Sequence, residues 1–396
     1  MLKEIFADLH IHIGRTEKGR AVKITGSKNL TLKNILETAN SRKGLDLVGI
    51  IDCHSPEVIE EIEQLIREGQ AHELIEGGVR FKNTTLILGS EIEIYDEYCH
   101  GPIHVLCYMP TIEKMKIFSN WMHTRLKNIH LSTQRIQCDG RTLQQKVHEL
   151  DGLFIPAHVF TPFKSLFGKG VKNSLSEVFD PQLIDAIELG LSSDTYMVKG
   201  ISELAPYSFV TNSDAHSLGK LAREYQKMQV AKASFKELKK ALHQKEGRAI
   251  VENYGLNPLL GKYHNTVCAN CDEQIPEDHY TLCPFCGKEG FIKGVAKRIH
   301  ELSDTPILDV ERPPYIHQVP LDFIPGIGAK TIEKMLDAFG TEMNILHNTS
   351  LDELKAVIPE KLAASINLAR KGELGITVGG GGVYGKVSLH PVRKHL

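Results

Sequence analysis

The chain opens on side chains that differ sharply from their neighbours. In FADLHIHIG (residues 6–14), Asp8, His10 and His12 alternate with Ala7, Leu9, Ile11 and Ile13. Along a β-strand this alternation gives one polar and one apolar face. Two imidazoles and a carboxylate are costly to bury alone, so they either hydrogen-bond one another or hold something positively charged. The same residue types recur in DCH (52–54), SEIE (90–93), His104, AH (157–158) and SDAH (213–216). A lone histidine at a strand end is usually a satisfied structural group. His10, His12, His54, His104, His158 and His216, with Glu91 and Asp214, all at strand ends, point instead to a shared ligand. Imidazole with carboxylate suits zinc, manganese or iron better than magnesium. This many donors exceed one tetrahedral site and imply two or three divalent metals, with a carboxylate such as Glu91 able to bridge. Closely spaced metals suit phosphoester hydrolysis: they supply a hydroxide nucleophile and neutralise phosphoryl charge.

The elements that must carry these residues are short apolar runs: EIFADLHIHI, LDLVGIID, TTLILGSEIEI, IHVLCYM, GLFIPAHV, AIELGL and YSFVTNSD. Helical stretches such as TLKNILETANSRKG and SPEVIEEIEQLIREG lie between them. The second carries Ser55 as N-cap and Pro56 at the first helical position. Alternation of this kind predicts an α/β domain with parallel strands, in barrel form, whose carboxyl strand ends make one functional rim. His104 opens its strand, and reaches the rim only if that strand starts there.

DLHIH, DCH, GSEIE, AH and SDAH, in that order over about the first 255 residues, resemble the PHP (polymerase and histidinol phosphatase) family. The resemblance implies a distorted (βα)7 barrel with a trinuclear site on the rim. It implies that His10, His12, Glu91 and Asp214 serve one metal and carry catalysis. Glu91, His104 and His158 would serve a second metal, and His54 and His216 a third. Many relatives have a further His or Asp ligand shortly after the first motif. The corresponding loop here, IGRTEKGRAVKITGSKN, has only Glu17 as candidate and Arg15 nearest the usual place, so the third site is expected to be weaker or differently held. Lys18, Arg20 and Lys23 on that loop, with Lys164, Lys169 and Lys172 in TPFKSLFGKGVKN, suit a polyphosphate chain better than a monophosphate.

Of 8 cysteines, Cys268, Cys271, Cys283 and Cys286 form two CxxC pairs, the pattern of a closed structural zinc site. Lys288, Lys293, Lys297 and Arg298 follow as a local basic stretch, either a solvated helix face or a DNA-facing patch. Further on, PLDFIPGIGAKTIEKMLDAFGT contains a tight Gly326–Ile327–Gly328 turn before a helix bearing Ile332, Met335 and Leu336 on one face. It resembles a helix-hairpin-helix, whose backbone amides at Gly326 and Gly328 would cradle a DNA phosphate, assisted by Lys330 and Thr331. SLDELKAVIPEKLAASINLARKG reads as a degenerate second copy. The run Gly379–Gly382 is either a close-approach or a flexible loop.

The 396 residues carry a net charge of -2, so any nucleic-acid grip must be local. No run of 18 apolar residues is present and MLKEIFADLH lacks a signal-peptide core, so a cytoplasmic protein is expected, with no membrane contact. The whole order resembles the endonuclease Q family: barrel over 1–255, four-cysteine module over 256–300, helix-hairpin-helix region over 301–396. That resemblance implies a DNA repair endonuclease cutting 5′ of deaminated bases (uracil, hypoxanthine, xanthine) or abasic sites, leaving a 3′-hydroxyl and a 5′-phosphate. It implies damaged DNA as partner, and leaves a sliding clamp as a second candidate that no motif specifies. Arg15, Phe160, Phe163, Lys164 and Phe167 are the candidates for lining a base pocket or contacting the strand. Two alternatives are a small-molecule phosphatase of the histidinol-phosphatase type and a non-catalytic DNA-binding scaffold. The first leaves both C-terminal modules unexplained, and the near-complete ligand set argues against the second.

Overall fold

The computed structural model describes residues 1–261, 263–275, 281–306, 310–378 and 385–388; the glycine run 379–382 lies outside them. Seven strands form a ring: β1 (Lys3–Ile11), β2 (Leu47–Ile50), β3 (Thr84–Ile94), β4 (Ile103–Met109), β5 (Leu153–Pro156), β6 (Ile187–Glu188) and β7 (Phe209–Val210). They coincide with the seven apolar runs. β1, β2 and β3 are mutually parallel, as are β6 and β7. Asp185 N donates to Phe154 O at 3.0 Å and links β5 to the start of β6. The ring closes where His12 N donates to Ala215 O (3.1 Å) and Ala215 N to His10 O (3.2 Å).

The expected all-parallel order fails at β4, which runs antiparallel to both β3 and β5. Residues 95–102 between β3 and β4 are too few for a parallel crossover, which needs a dozen or more. This reversal puts the start of β4, and so His104, opposite Glu93 at the rim.

β3 is buried along both faces, and its polar residues cluster toward the end that reaches the rim, at Ser90, Glu91 and Glu93. β1 and β2 approach so closely that a Cβ on Gly49 would stand 2.3 Å from Leu9 O, which requires glycine there. The helix Pro56–Arg67 starts at the expected Ser55 cap and buries Val58, Ile59, Ile62 and Leu65 against the sheet. Two more strands, β8 (Tyr225–Val230) and β9 (Ala249–Gly255), extend the sheet antiparallel beyond β1.

The cysteine module is built on a short antiparallel pair, Val267–Cys268 with Phe291–Ile292, and is followed by a helix over Val295–Leu302. Residues Tyr315–His317 return to pair with β9. Helices Ala329–Phe339, Glu342–His347, Leu351–Val357 and Glu360–Arg370 follow, and after them Gly375–Thr377 pairs antiparallel with Lys386–Ser388. One apolar cluster runs from the barrel into these helices, and a buried Lys43–Glu342 ion pair of 2.7 Å joins them. Among the described residues no helix is long and apolar enough to cross a membrane.

Candidate metal centre and nucleic-acid interface

The rim brings two donor groups together. His10, His12 and Asp214 form one, and Glu91, His104 and His158 the other. His10 Nε2 lies 3.4 Å from Asp214 Oδ1 and 3.6 Å from Glu91 Oε1, and His12 Nε2 lies 3.5 Å from both Asp214 Oδ1 and Glu91 Oε2. A tetrahedral ion about 2.1 Å from each donor needs donors about 3.4 Å apart, so His10, His12 and Asp214 have the spacing of one metal site, with a different oxygen of Glu91 beside each histidine. Glu91 Oε1 is also 2.9 Å from His104 Nδ1 and 3.4 Å from His158 Nε2, so the same carboxylate faces both groups. His10 Nε2 and His12 Nε2 are buried without a hydrogen-bond partner, as expected of atoms aimed at a cation.

Behind the first group stand two carboxylates. Glu188 Oε1 lies 3.0 Å from His10 Nδ1, and Asp52 Oδ2 3.2 Å from His12 Nδ1. Each fixes its imidazole so that Nε2 faces the site, the usual carboxylate–histidine–metal arrangement. Glu188 also accepts from Asn212 Nδ2 and from the backbone N–H of His158, and Asp52 from the N–H of Ile13. Burial alone would push His10 down, but Glu188, Asp214 and Glu91 outweigh it and raise it to about 10. Burial pushes Glu91 up, yet His104 and Lys23 hold it well below the usual carboxylate range. His158 and Asp214 both have left-handed backbones, φ 32° and 45°, a conformation that side chains other than glycine adopt at a cost of about 1–3 kcal/mol.

The remaining sequence candidates fall out differently. Asp8 joins neither donor group and accepts the N–H groups of Ser213 and Ala222, so it is a structural bracket rather than part of the cation site. His54 and His216 join neither donor group: His54 Nε2 is 3.5 Å from Leu131 O, and His216 Nδ1 is 3.0 Å from Asp214 O. Glu17 is exposed and also outside both groups. Lys23 reaches Glu91 Oε2 at 3.2 Å and Thr133 Oγ1 at 2.7 Å.

Sequence reasoning missed Glu188, Asp52 as a partner of His12, and the anchoring role of Lys23. An acid inside the apolar run AIELGL was the available signal for Glu188.

A cleft of about 350 Å³ opens over these groups, walled by Lys164, Phe163, Leu191, Lys220, Arg223 and Tyr263 among others. Of the expected base-pocket residues, Phe163 (41% exposed) and Lys164 reach it. Phe160 and Phe167 do not serve as expected: both are buried and stack on each other at 5.3 Å, in the core beneath the loop. Arg15 turns back on its own loop, donating to Gly19 O.

In the cysteine module, Sγ of Cys268 and Cys286, and of Cys271 and Cys283, are 3.6 Å apart. A zinc about 2.3 Å from each thiolate needs sulfurs about 3.8 Å apart, so the cage fits the ion with no open position. Arg298 donates to the carbonyls of Phe167, Val171 and Lys172 and ties this module to the barrel.

At the C-terminal hairpin, Gly326 has φ 88° and Gly328 caps the helix Ala329–Phe339. The N–H groups of Gly328, Ala329 and Lys330 have no acceptor among the described residues and point from an exposed helix start. The element before the hairpin is a single 3-10 turn, Leu321–Phe323, rather than a full helix. The segment read as a degenerate second copy folds as two helices, Leu351–Val357 and Glu360–Arg370, joined through Ile358 and Pro359.

Comparison with known proteins follows this geometry. The chain is 58% identical over 386 residues to the uncharacterized protein YqxK of Bacillus subtilis, covering 98% of this chain and all of that one. Its fold matches the lesion-specific endonuclease PfuEndoQ of Pyrococcus furiosus with a TM-score of 0.83 and 30% identity, over 98% of this chain and 96% of that chain. It also matches an endonuclease Q solved with a 27-mer duplex carrying an abasic lesion at the active site, with a TM-score of 0.83 and 29% identity over the full length of both. No family model matches the chain.

Proposed function

The chain belongs to the endonuclease Q family, and on that premise we propose that it is a metal-dependent DNA repair endonuclease. It hydrolyses the phosphodiester 5′ of deaminated bases (uracil, hypoxanthine, xanthine) and of abasic sites, leaving a 3′-hydroxyl and a 5′-phosphate. The observation that carries the reading is Glu91, whose two oxygens face two adjoining donor groups at the floor of an open cleft. The catalytic barrel is residues 1–255, the zinc module 256–300 and the DNA-gripping region 301–396.

Divalent metals held there would supply Lewis-acid stabilisation of the phosphoryl group and activation of water. His10, His12, Glu91 and Asp214 would hold the first, and Glu91, His104 and His158 the second. His54 and His216 are left for a third, looser site. Glu188 and Asp52 keep the two histidines in the tautomer that presents Nε2. Lys23 and Thr133 fix the second oxygen of Glu91. The amides at Gly328–Lys330 take a duplex phosphate independently of sequence, with Thr331 beside them. The lesion nucleotide leaves the stack and enters the cleft, where Phe163 and Lys164 are the candidates for meeting it.

The test uses end-labelled duplexes carrying U:G, U:A, T:G, hypoxanthine, xanthine or abasic positions, with p-nitrophenyl phosphate alongside. Cutting 5′ of uracil in both U:G and U:A, with T:G spared, is expected. Equal cutting of U:G and T:G with U:A spared would make mismatch the signal instead. Turnover of p-nitrophenyl phosphate without any duplex cutting would refute the endonuclease reading.

A further inference from the structure

Beside the metal cleft lies a second groove, of about 560 Å³, between the barrel loop 160–173 and the zinc module. Phe163 walls both, so the two are continuous across one exposed ring. That ring stands edge-on to Tyr263 at 5.6 Å, with Lys169 Nζ 5.4 Å from its centre. The facing wall is Phe291, Ile292 and Lys293 of the zinc module.

The charge of this groove is one-sided. His100, Lys169, Lys172, Lys293 and Arg298 line it, and among the described residues no carboxylate does. Glu301 stands behind one wall, 2.7 Å from Lys293 Nζ, and Glu177 behind the other, 3.9 Å from His100 Nε2. Lys169 and Lys172 have no carboxylate within ion-pairing distance among the described residues, and both are exposed. The metal cleft carries both signs, with Glu91, Glu188 and Asp214 in its lining beside Lys23, Lys164, Lys220 and Arg223. The two walls are also locked together. Arg298 Nε donates to Phe167 O at 2.7 Å, and its Nη2 to Val171 O at 3.1 Å and Lys172 O at 2.6 Å. The groove is therefore a fixed feature whose width depends on the zinc module staying docked.

We propose that this groove binds the sugar–phosphate backbone of the DNA strand as it leaves the metal cleft, with Lys169 and Lys172 contacting its phosphates. The inference rests on the endonuclease reading and adds a path for the strand. Polarity carries it: a polyanion that leaves the mixed-charge cleft meets a groove whose only lining charges, among the described residues, are positive. Continuity across Phe163 gives the chain one route between the two, with an aromatic edge against which a nucleotide can turn.

The test is the double variant Lys169→Gln/Lys172→Gln, measured on an abasic duplex by fluorescence anisotropy over a salt series, with Asp214→Asn in every protein compared to block cleavage and the cysteine module left loaded. Each lost phosphate contact lowers the slope of log K against log salt by about 0.7–0.9, so the slope should fall by about 1.5. Extrapolated from about 1 M salt, that difference is a loss of about 30-fold in affinity at about 0.1 M. Lys169→Arg/Lys172→Arg should restore the slope. Lys236→Gln, on the helix Phe235–Leu242 at the opposite end of the barrel, should leave it at the wild-type value. A double variant with wild-type slope and affinity, while the wild type binds and cuts, overturns the groove and spares the endonuclease reading. A wild type that neither binds nor cuts damaged duplex overturns the endonuclease reading itself.

Discussion

Glu188→Gln tests the metal centre without touching a ligand. Glu188 is buried and receives three donors: His10 Nδ1 at 3.0 Å, Asn212 Nδ2 at 2.8 Å and the N–H of His158 at 2.8 Å. Glutamine has one acceptor oxygen. Placed where Oε1 lies, it keeps His10 and Asn212 but turns its NH2 onto the His158 N–H. Placed where Oε2 lies, it keeps His10 and His158 but turns the NH2 onto the Asn212 amide. Asn212 is not free to flip, because its Oδ1 already accepts from Leu9 N at 2.8 Å. Either way one buried donor is stranded, a cost of about 1–3 kcal/mol. The charge behind His10 is lost as well, and removal of such a partner weakens metal affinity by about 10–100-fold, or about 1.4–2.7 kcal/mol. The assay strips the barrel with a mild chelator, confirms the fold by circular dichroism and titrates manganese by calorimetry. A midpoint shifted 10–100-fold, with the cysteine-bound zinc retained and cleavage recovered at saturating manganese, is expected. A folded variant with the wild-type midpoint would refute the role given to Glu188.

Asp214→Asn should abolish cleavage while leaving duplex affinity within about twofold, because the helix start at Gly328 is a separate grip; full cleavage with normal barrel metal content would contradict the cluster. Gly326→Val should weaken binding to damaged and undamaged duplexes alike, since φ 88° is strained for a β-branched residue and its Cβ would stand 3.0 Å from Leu362 Cδ2; unchanged affinity for both would remove the hairpin from the interface. Cys283→Ser should release one zinc per chain and loosen the Arg298 tie to loop 166–172, which limited proteolysis of that loop would detect; unchanged zinc content would refute the cage. Glu224 gives a pH prediction: burial, with smaller contributions from Glu188 and Asp8, pushes its carboxyl up to about 8 against the lowering by the Leu256 N–H and Arg223. The ordinary carboxyl value is about 4.3, so the unfolded chain loses this proton first, and the stability it contributes is complete below about pH 4 and lost as pH rises through about 8. Glu224→Gln, with Tyr315 beside it, keeps the neutral form at every pH; its gain in Tm over wild type should be larger at pH 8 than at pH 5, and an equal gain at both would contradict the assignment.

Much of the molecule was legible in the chain itself. The strand-end motifs, the two CxxC pairs and the Gly326–Gly328 turn are local statements, because their spacing is dictated by geometry within a few residues: period-2 side-chain alternation, thiolate reach and a left-handed turn. Strand order and direction are not local. The almost continuous apolar run IHVLCYM records that β4 is buried and says nothing of its direction; the pairing of Glu93 with His104 shows that β4 reverses and begins at the rim. The support behind the ligands is equally non-local: Glu188 meets His10 across 178 residues of chain and Asp52 meets His12 across 40. Phe160 and Phe167 had the composition of a binding loop, and packing decided otherwise, since two rings stacked in a core are shielded from any base. Arg298 likewise read as one cation in a basic stretch, until three backbone carbonyls of a distant loop turned it into a clamp. Residue type and spacing declare which chemistry a chain can perform. Which of those residues face one another is set by contacts between distant segments, whose energies no single segment contains.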